Sequence, residues 1–212
     1  MKRIFSIILL TAISYIACLA QDKPKPMELL DKICVLLSQD TGVSGQFTAT
    51  TFQGTVPQNT TSGSMKMMGQ KYVLKTPDMT VWYDGKKQWT LIAGTDEVNV
   101  TVPTLAELSQ SSPSSYLTLY KQGYKLSVKG TTLRNRKAWE VTMKAKKNTL
   151  QPSQVIVTID SQTNHPMCIR VKYRNDWSRI SINNLRTNNK LKNQDFEFPA
   201  KEYPGVEIIN IN

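Results

Sequence analysis

Trp139-Glu140-Val141-Thr142-Met143-Lys144-Ala145 alternates apolar and polar side chains without a break. Successive side chains of an extended strand point to opposite sides, so this stretch is a strand with Trp139, Val141 and Met143 on one face. The rhythm recurs on both sides of it. Tyr124, Leu126 and Val128 alternate with Lys125, Ser127 and Lys129. Val155, Val157 and Ile159 form the next apolar face, followed by Met167, Ile169, Val171 and Tyr173, and then by Ile180 and Ile182. Turn residues separate these runs at Asn135-Arg136, Asp160 to His165 and Asn175-Asp176. Short alternating strands with short turns predict an antiparallel meander. The repeated one-faced pattern predicts one large sheet, curled so that its apolar faces look inward. No βαβ rhythm is present, which excludes a doubly wound nucleotide-binding fold.

The upstream half is also strand text. Gly45 to Gly54 is rich in Thr and Phe. Ser62 to Met68 and Lys71 to Thr76 alternate, with Met65, Met67, Tyr72 and Leu74 as their apolar members. Met79 to Tyr83 and Gln88 to Ala93 flank Asp84-Gly85-Lys86-Lys87, a hairpin signal because Gly accepts the positive φ of a tight reversal. Trp89 is expected to face outward and stabilise that hairpin. Glu97 to Val102 sets Val98, Val100 and Val102 on one side.

Two segments break the strand pattern. In Pro26 to Ser38, Leu30, Ile33, Cys34 and Leu37 recur at three and four residues, the spacing of an amphipathic helix. Thr104 to Gly123 reads as two short helices. Thr104 can cap the first, Ser109 to Ser115 links them, and Leu117 and Tyr120 lie in the second.

The N-terminus differs from the rest. Met1-Lys2-Arg3 precedes an apolar run from Ile4 to Ala20, the pattern of a secretory signal with cleavage expected after Ala20. Residues 21–212 then form a single domain. Tyr15-Ile16-Ala17-Cys18 is an imperfect lipoprotein box, with Tyr15 where Leu is expected, so a lipid anchor at Cys18 is the alternative. Cys34 and Cys168 follow the signal, and their spacing leaves a disulfide open.

With 27 Lys and Arg against 16 Asp and Glu, the formal charge is +11. The cations are spread along the chain and alternate with apolar residues, as on the solvated face of a sheet. An exported protein also meets little nucleic acid, so none is expected as a partner. An anionic membrane surface or an acidic partner suits the charge better. Catalytic patterns are missing: GxSxG, HExxH and CxxC do not occur. His165 is the only histidine, and it precedes Pro166 in a turn. No catalytic residue, metal site or cofactor is expected. Binding is the expected work, on the apolar sheet face, where flexible Met side chains adapt to irregular apolar ligands. Pattern alone does not separate a ligand-lined cavity from a packed core under the helical segments.

Two motifs add to this reading. The first runs from Tyr72 to Trp89 and ends in Asp84-Gly85-Lys86-Lys87-Gln88-Trp89. The second is Phe196-Glu197-Phe198 followed by Tyr203-Pro204-Gly205-Val206. An exported chain with an early amphipathic helix, this hairpin and this tail resembles the LolA family of periplasmic lipoprotein carriers. The resemblance implies an incomplete, strongly curved antiparallel β-barrel with helices covering the concave apolar face. It implies a monomeric shuttle that takes acylated lipoproteins from an inner-membrane ABC transporter to an outer-membrane acceptor. The acyl site would be formed by Met65, Met67, Tyr72, Leu74, Trp139, Val141 and Met143, with Val157, Ile159, Ile169, Val171, Ile180 and Ile182. Leu30, Ile33, Leu37, Leu117 and Tyr120 would form the lid. A chain acylated at Cys18 would resemble the LolB acceptor instead, and a third reading is an RseB-like lipoprotein sensor. Family members carry an Arg-Pro pair before the aromatic run, and the Arg ties the lid. Here Met67-Met68-Gly69-Gln70-Lys71-Tyr72 has neither residue, so that latch does not carry over.

Overall fold

Extended, β-branched text builds almost all of the structure, a computed structural model that describes residues 23–104, 107–108 and 115–211. The expected export signal, Cys18, Leu105 and most of the Ser109–Ser115 link lie outside the described residues. Helix α1 (Pro26–Leu37) comes first, then strands β1 (Val43–Gln53), β2 (Val56–Met68), β3 (Lys71–Lys75), β4 (Met79–Tyr83), β5 (Gln88–Ile92) and β6 (Glu97–Thr101). Helix α2 (Ser115–Thr118) and a 3₁₀ turn (Leu119–Lys121) lead into β7 (Tyr124–Leu133), β8 (Arg136–Ala145), β9 (Gln154–Asp160), β10 (Pro166–Tyr173) and β11 (Asp176–Thr187). Two more 3₁₀ turns, Asn193–Phe196 and Ala200–Glu202, precede β12 (Glu207–Asn210). No described helix is long and apolar enough to cross a membrane.

All twelve strands form one sheet in the order β12-β6-β5-β4-β3-β2-β1-β11-β10-β9-β8-β7. The expected single meander is in fact two, β1 to β6 and β7 to β11, joined where β11 returns to pair with β1. Every pairing is antiparallel except β12 with β6. The register slips between β1 and β11 at Ser44/Gln46, and between β1 and β2 at Thr50/Phe52. Such bulges bend a strand and increase its twist, which curls the sheet. Gly63 serves the same curvature: a Cβ there would lie 2.3 Å from the Lys75 carbonyl oxygen and 2.8 Å from the Phe47 ring.

Strand β2 begins six residues before the expected Ser62. Its first half, Val-Pro-Gln-Asn-Thr-Thr, lacks apolar alternation. Hydroxyl pairs join it to β1 instead, Thr50 with Thr60 and Thr48 with Ser62. The Asp84 turn follows expectation. Gly85 has φ +101°, and Asp84 Oδ1 accepts the backbone N–H of Lys86 and of Lys87, both at 2.7 Å.

Helix α1 starts at Pro26, whose missing N–H costs nothing in the first turn. It buries Leu29, Leu30, Ile33 and Leu37 on the concave face of the sheet. The C-terminal segment covers part of the convex face. There Trp82 packs edge-on against Phe198 and Tyr203, with ring centroids 5.4 and 6.0 Å away. Trp89 is the cross-strand partner of Trp82 and so shares that outer face, as expected of it. Its neighbours Val98 and Val100, opposite Leu91 and Trp89, are buried there too. The apolar pattern of β5 and β6 thus serves an outer core, and their inner positions carry Gln88, Thr90, Asn99 and Thr101.

Candidate functional site: an apolar concave face under two helices

Pairing register places side chains on faces without ambiguity, because cross-strand partners point the same way. Met65 pairs with Leu74, and Met67 with Tyr72. Trp139 pairs with Ile159, Val141 with Val157, and Met143 with Val155. Ile169 pairs with Val157 and Ile180, and Val171 with Val155. Ile182 lies opposite Phe47. All thirteen apolar side chains assigned to the sheet site therefore meet on the concave face. Ten are buried, and Leu74, Trp139 and Ile180 pack half-buried at the margin of the same cluster. The five lid residues Leu30, Ile33, Leu37, Leu117 and Tyr120 belong to that cluster as well. Leu29, Val43, Val81, Tyr83, Tyr124 and Val155 complete it. The alternation marked their strands, but it does not say which face of an isolated strand looks inward.

The face is filled. Ile33 and Leu30 are fully buried against it, as are Met143, Val141, Val157 and Ile159. The grooves formed by described residues lie elsewhere: beneath the C-terminal tail at Lys66, Trp82 and Tyr203, beside Met79 and Ile92, and between α1 and the β9–β10 turn.

Among the described residues, few polar ties hold the helices. The Tyr120 hydroxyl donates to Asp31 Oδ1, linking the turn after α2 to α1. Burial and this bond push the Tyr120 hydroxyl well above its ordinary pKa. The Cys34 thiol donates weakly to the Leu117 carbonyl at 3.9 Å. Tyr116 on α2 is bonded to Tyr173 at the end of β10. Burial first, then that neighbour, push its pKa up to about 12. Below pH 10 both phenols stay protonated and can donate. Tyr120→Phe removes the α1–α2 tie while keeping the ring. It is expected to cost the closed form about 1 kcal/mol and to speed uptake of an acyl probe about fivefold in stopped-flow fluorescence.

Chemistry beyond apolar contact is sparse. Among the described residues, no three His, Cys, Asp or Glu side chains gather into a metal-binding group. Cys34 lies under α2 on the concave side. Cys168 is the outward-facing partner of Ser181, so the two free thiols sit on opposite sides of the sheet. His165 is half-buried in the β9–β10 turn, where its carbonyl accepts the Asp160 N–H.

Comparison with known proteins gives the same picture. The family model described as outer membrane lipoprotein carrier protein LolA matches residues 16–175. No curated protein matches the chain. A conserved protein of Thermus thermophilus superposes with a TM-score of 0.58 at 9% identity, covering 87% of this chain and 98% of that one. A LolA superfamily protein of Nitrosomonas europaea gives 0.43 at 7% identity, over 84% and 100% of the two chains. The Mycobacterium tuberculosis lipoprotein LppX gives 0.47 at 11%, over 79% and 97%. At these identities the structural likeness speaks for the fold alone. The family match covers most of the sequence, and the chain belongs to the LolA outer membrane lipoprotein carrier family.

Proposed function

We propose that this chain is exported, loses its first twenty residues, and carries the acyl chains of lipoproteins on its concave face between the inner and outer membranes. The observation that carries this reading is the single apolar surface of β1–β4 and β7–β11, closed by a short helix that few polar bonds hold down. An inner-membrane ABC transporter would load the carrier, and an outer-membrane acceptor would empty it. No covalent step is needed: the carrier replaces lipid contacts with protein contacts for the time spent in water.

Magnitudes favour cargo with more than one acyl chain. Opening α1 uncovers four buried aliphatic side chains, at about 1.5–3 kcal/mol each. An acyl chain returns about 0.8 kcal/mol per buried CH₂, so one chain of about a dozen CH₂ roughly offsets the opening. A second or third chain supplies the net affinity. Release then needs only an acceptor that binds the cargo better, since lid closure stabilises the empty state.

Native mass spectrometry on the protein recovered from its own periplasm tests this. Adducts with the masses of acylated proteins are expected. In titrations, a triacylated lipopeptide should bind well above a single-chain fatty acid probe. Protein recovered bare, with no uptake of either probe, would make the concave face a packed core and nothing more. Incorporation of an azido fatty acid at Cys18 would move the chain to the anchored, acceptor-like reading.

A further inference from the structure

One outer-face row crosses six strands near the end of the sheet next to α2. Its members are successive cross-strand partners: Phe52, Trp177, Lys172, Gln154, Lys144 and Lys125. The row contains no carboxylate. Lys144 and Lys125 lie directly opposite each other, an arrangement that costs a sheet stability. Lys146, Lys147 and Arg174 extend the charge into the turns beyond. None of these cations forms an ion pair with a carboxylate among the described residues, and Asp176 is the only acid in the adjoining β10–β11 turn.

The aromatic end of the row is ordered by its cations. Lys172 Nζ lies 5.9 Å from the centre of the Trp177 ring, and the Arg179 guanidinium lies 5.1 Å from that of Phe52. Both rings are only half-buried. Those ring contacts stabilise the sheet modestly, but they leave Lys125, Lys144, Lys146, Lys147 and Arg174 with no ion-pair partner among the described residues.

We propose that this row and its turns dock the protein on an anionic phospholipid surface. The cations meet lipid phosphates, and Trp177 and Phe52 settle at headgroup depth, where aromatic rings partition. Cations spread over six strands of the convex face fit an extended lipid surface better than an acidic peptide, which would seek a groove. Tyr173, on the concave side at the end of β10, neighbours Tyr116 of α2. Docking there brings the lid next to the bilayer. The inference stands whether or not the concave face takes acyl chains.

Vesicle flotation with the purified chain tests it. Vesicles of phosphatidylcholine mixed with phosphatidylglycerol should bind about tenfold more tightly than phosphatidylcholine alone, and added salt should erase the difference. The double variant Lys144→Glu/Lys172→Glu should lose about tenfold or more with its circular dichroism and thermal midpoint unchanged. Equal binding to both vesicles, no binding to either, or full binding by the double variant overturns the proposal. So does binding of soluble polyglutamate without vesicle binding, which would assign the face to an acidic protein. Acyl-probe uptake is measured in parallel. Uptake without vesicle binding sinks the docking surface alone, and vesicle binding without uptake sinks the carrier reading alone.

Discussion

Ile33→Ala is expected to raise the apparent affinity for an acyl probe about tenfold while lowering the thermal midpoint of the empty protein. Ile33 is fully buried, and it belongs to the lid and not to the sheet. Truncating such a side chain costs a packed core about 3 kcal/mol, from lost transfer energy and the cavity left behind. In a carrier that cost falls on the closed, empty state, because α1 leaves the sheet when cargo enters. Part of it is recovered on opening, and a tenfold change in affinity needs about 1.4 kcal/mol, less than half. Ile169→Ala supplies the contrast. Ile169 lies on the sheet floor, where cargo would take the place of the helix, so its truncation should lower both midpoint and affinity. Fluorescence titration with a labelled fatty acyl probe, beside thermal unfolding followed by circular dichroism, reads both quantities. A packed core with no guest predicts something else: both variants lose stability and neither gains affinity. Opposite signs of the affinity change at Ile33 and Ile169 are therefore the signature of a lid.

The period of the side chains made the strands legible, and with them the composition of the concave face. Trp139-Val141-Met143 and Ile169-Val171 could be placed together without a structure, because a curled sheet has one inside, whereas Met167 sits at the register shift between Pro166 and Cys168 and outside the concave cluster. Three things were not legible, each for a physical reason. Alternation in Glu97–Val102 gives two faces but not their sense. Val98 and Val100 are buried on the outer face instead, the side on which Trp82 packs against Phe198 and Tyr203, and β12, distant in sequence, pairs beside them. The first half of β2 is held by hydroxyl pairs with β1, which leave no hydrophobic period. The β1–β11 pairing that joins the two meanders is a contact between strands more than a hundred residues apart, set by the closing of the sheet and not by any local turn. The site shows the same limit. Its lining could be read from the alternation, while the seating of α1 on it depends on how closely Leu30 and Ile33 fit the sheet.

Asp160 is where a substitution is expected to cost most stability without touching the lid. Its side chain is 1% exposed on the outer face, at the end of β9. Oδ1 accepts the backbone N–H of Gln162 at 2.9 Å and of Thr163 at 2.8 Å, and Oδ2 meets Arg136 Nε at 2.8 Å. Burial alone would raise its pKa. The two N–H bonds, with Thr163 and Arg136, outweigh burial and hold it below the ordinary aspartate value. Asp160→Ala removes the acceptor of the Gln162 and Thr163 N–H groups and the buried end of an ion pair, so a loss of about 3 kcal/mol is expected. Arg136 is half-exposed and regains water, which keeps the loss at the lower end of what a broken buried pair costs. Asp160→Asn keeps an oxygen for both N–H groups and loses only the charge, so about half that loss is expected. The folded pKa is depressed, so the stabilisation is complete above the unfolded value of about 3.9 and disappears as pH falls through the folded value. The difference between wild type and Asp160→Asn in urea unfolding should therefore be constant from pH 7 to about pH 5, and shrink toward zero at lower pH. A difference that persists undiminished in acid would mean that the carboxylate charge contributes nothing and that the turn is held by its shape alone.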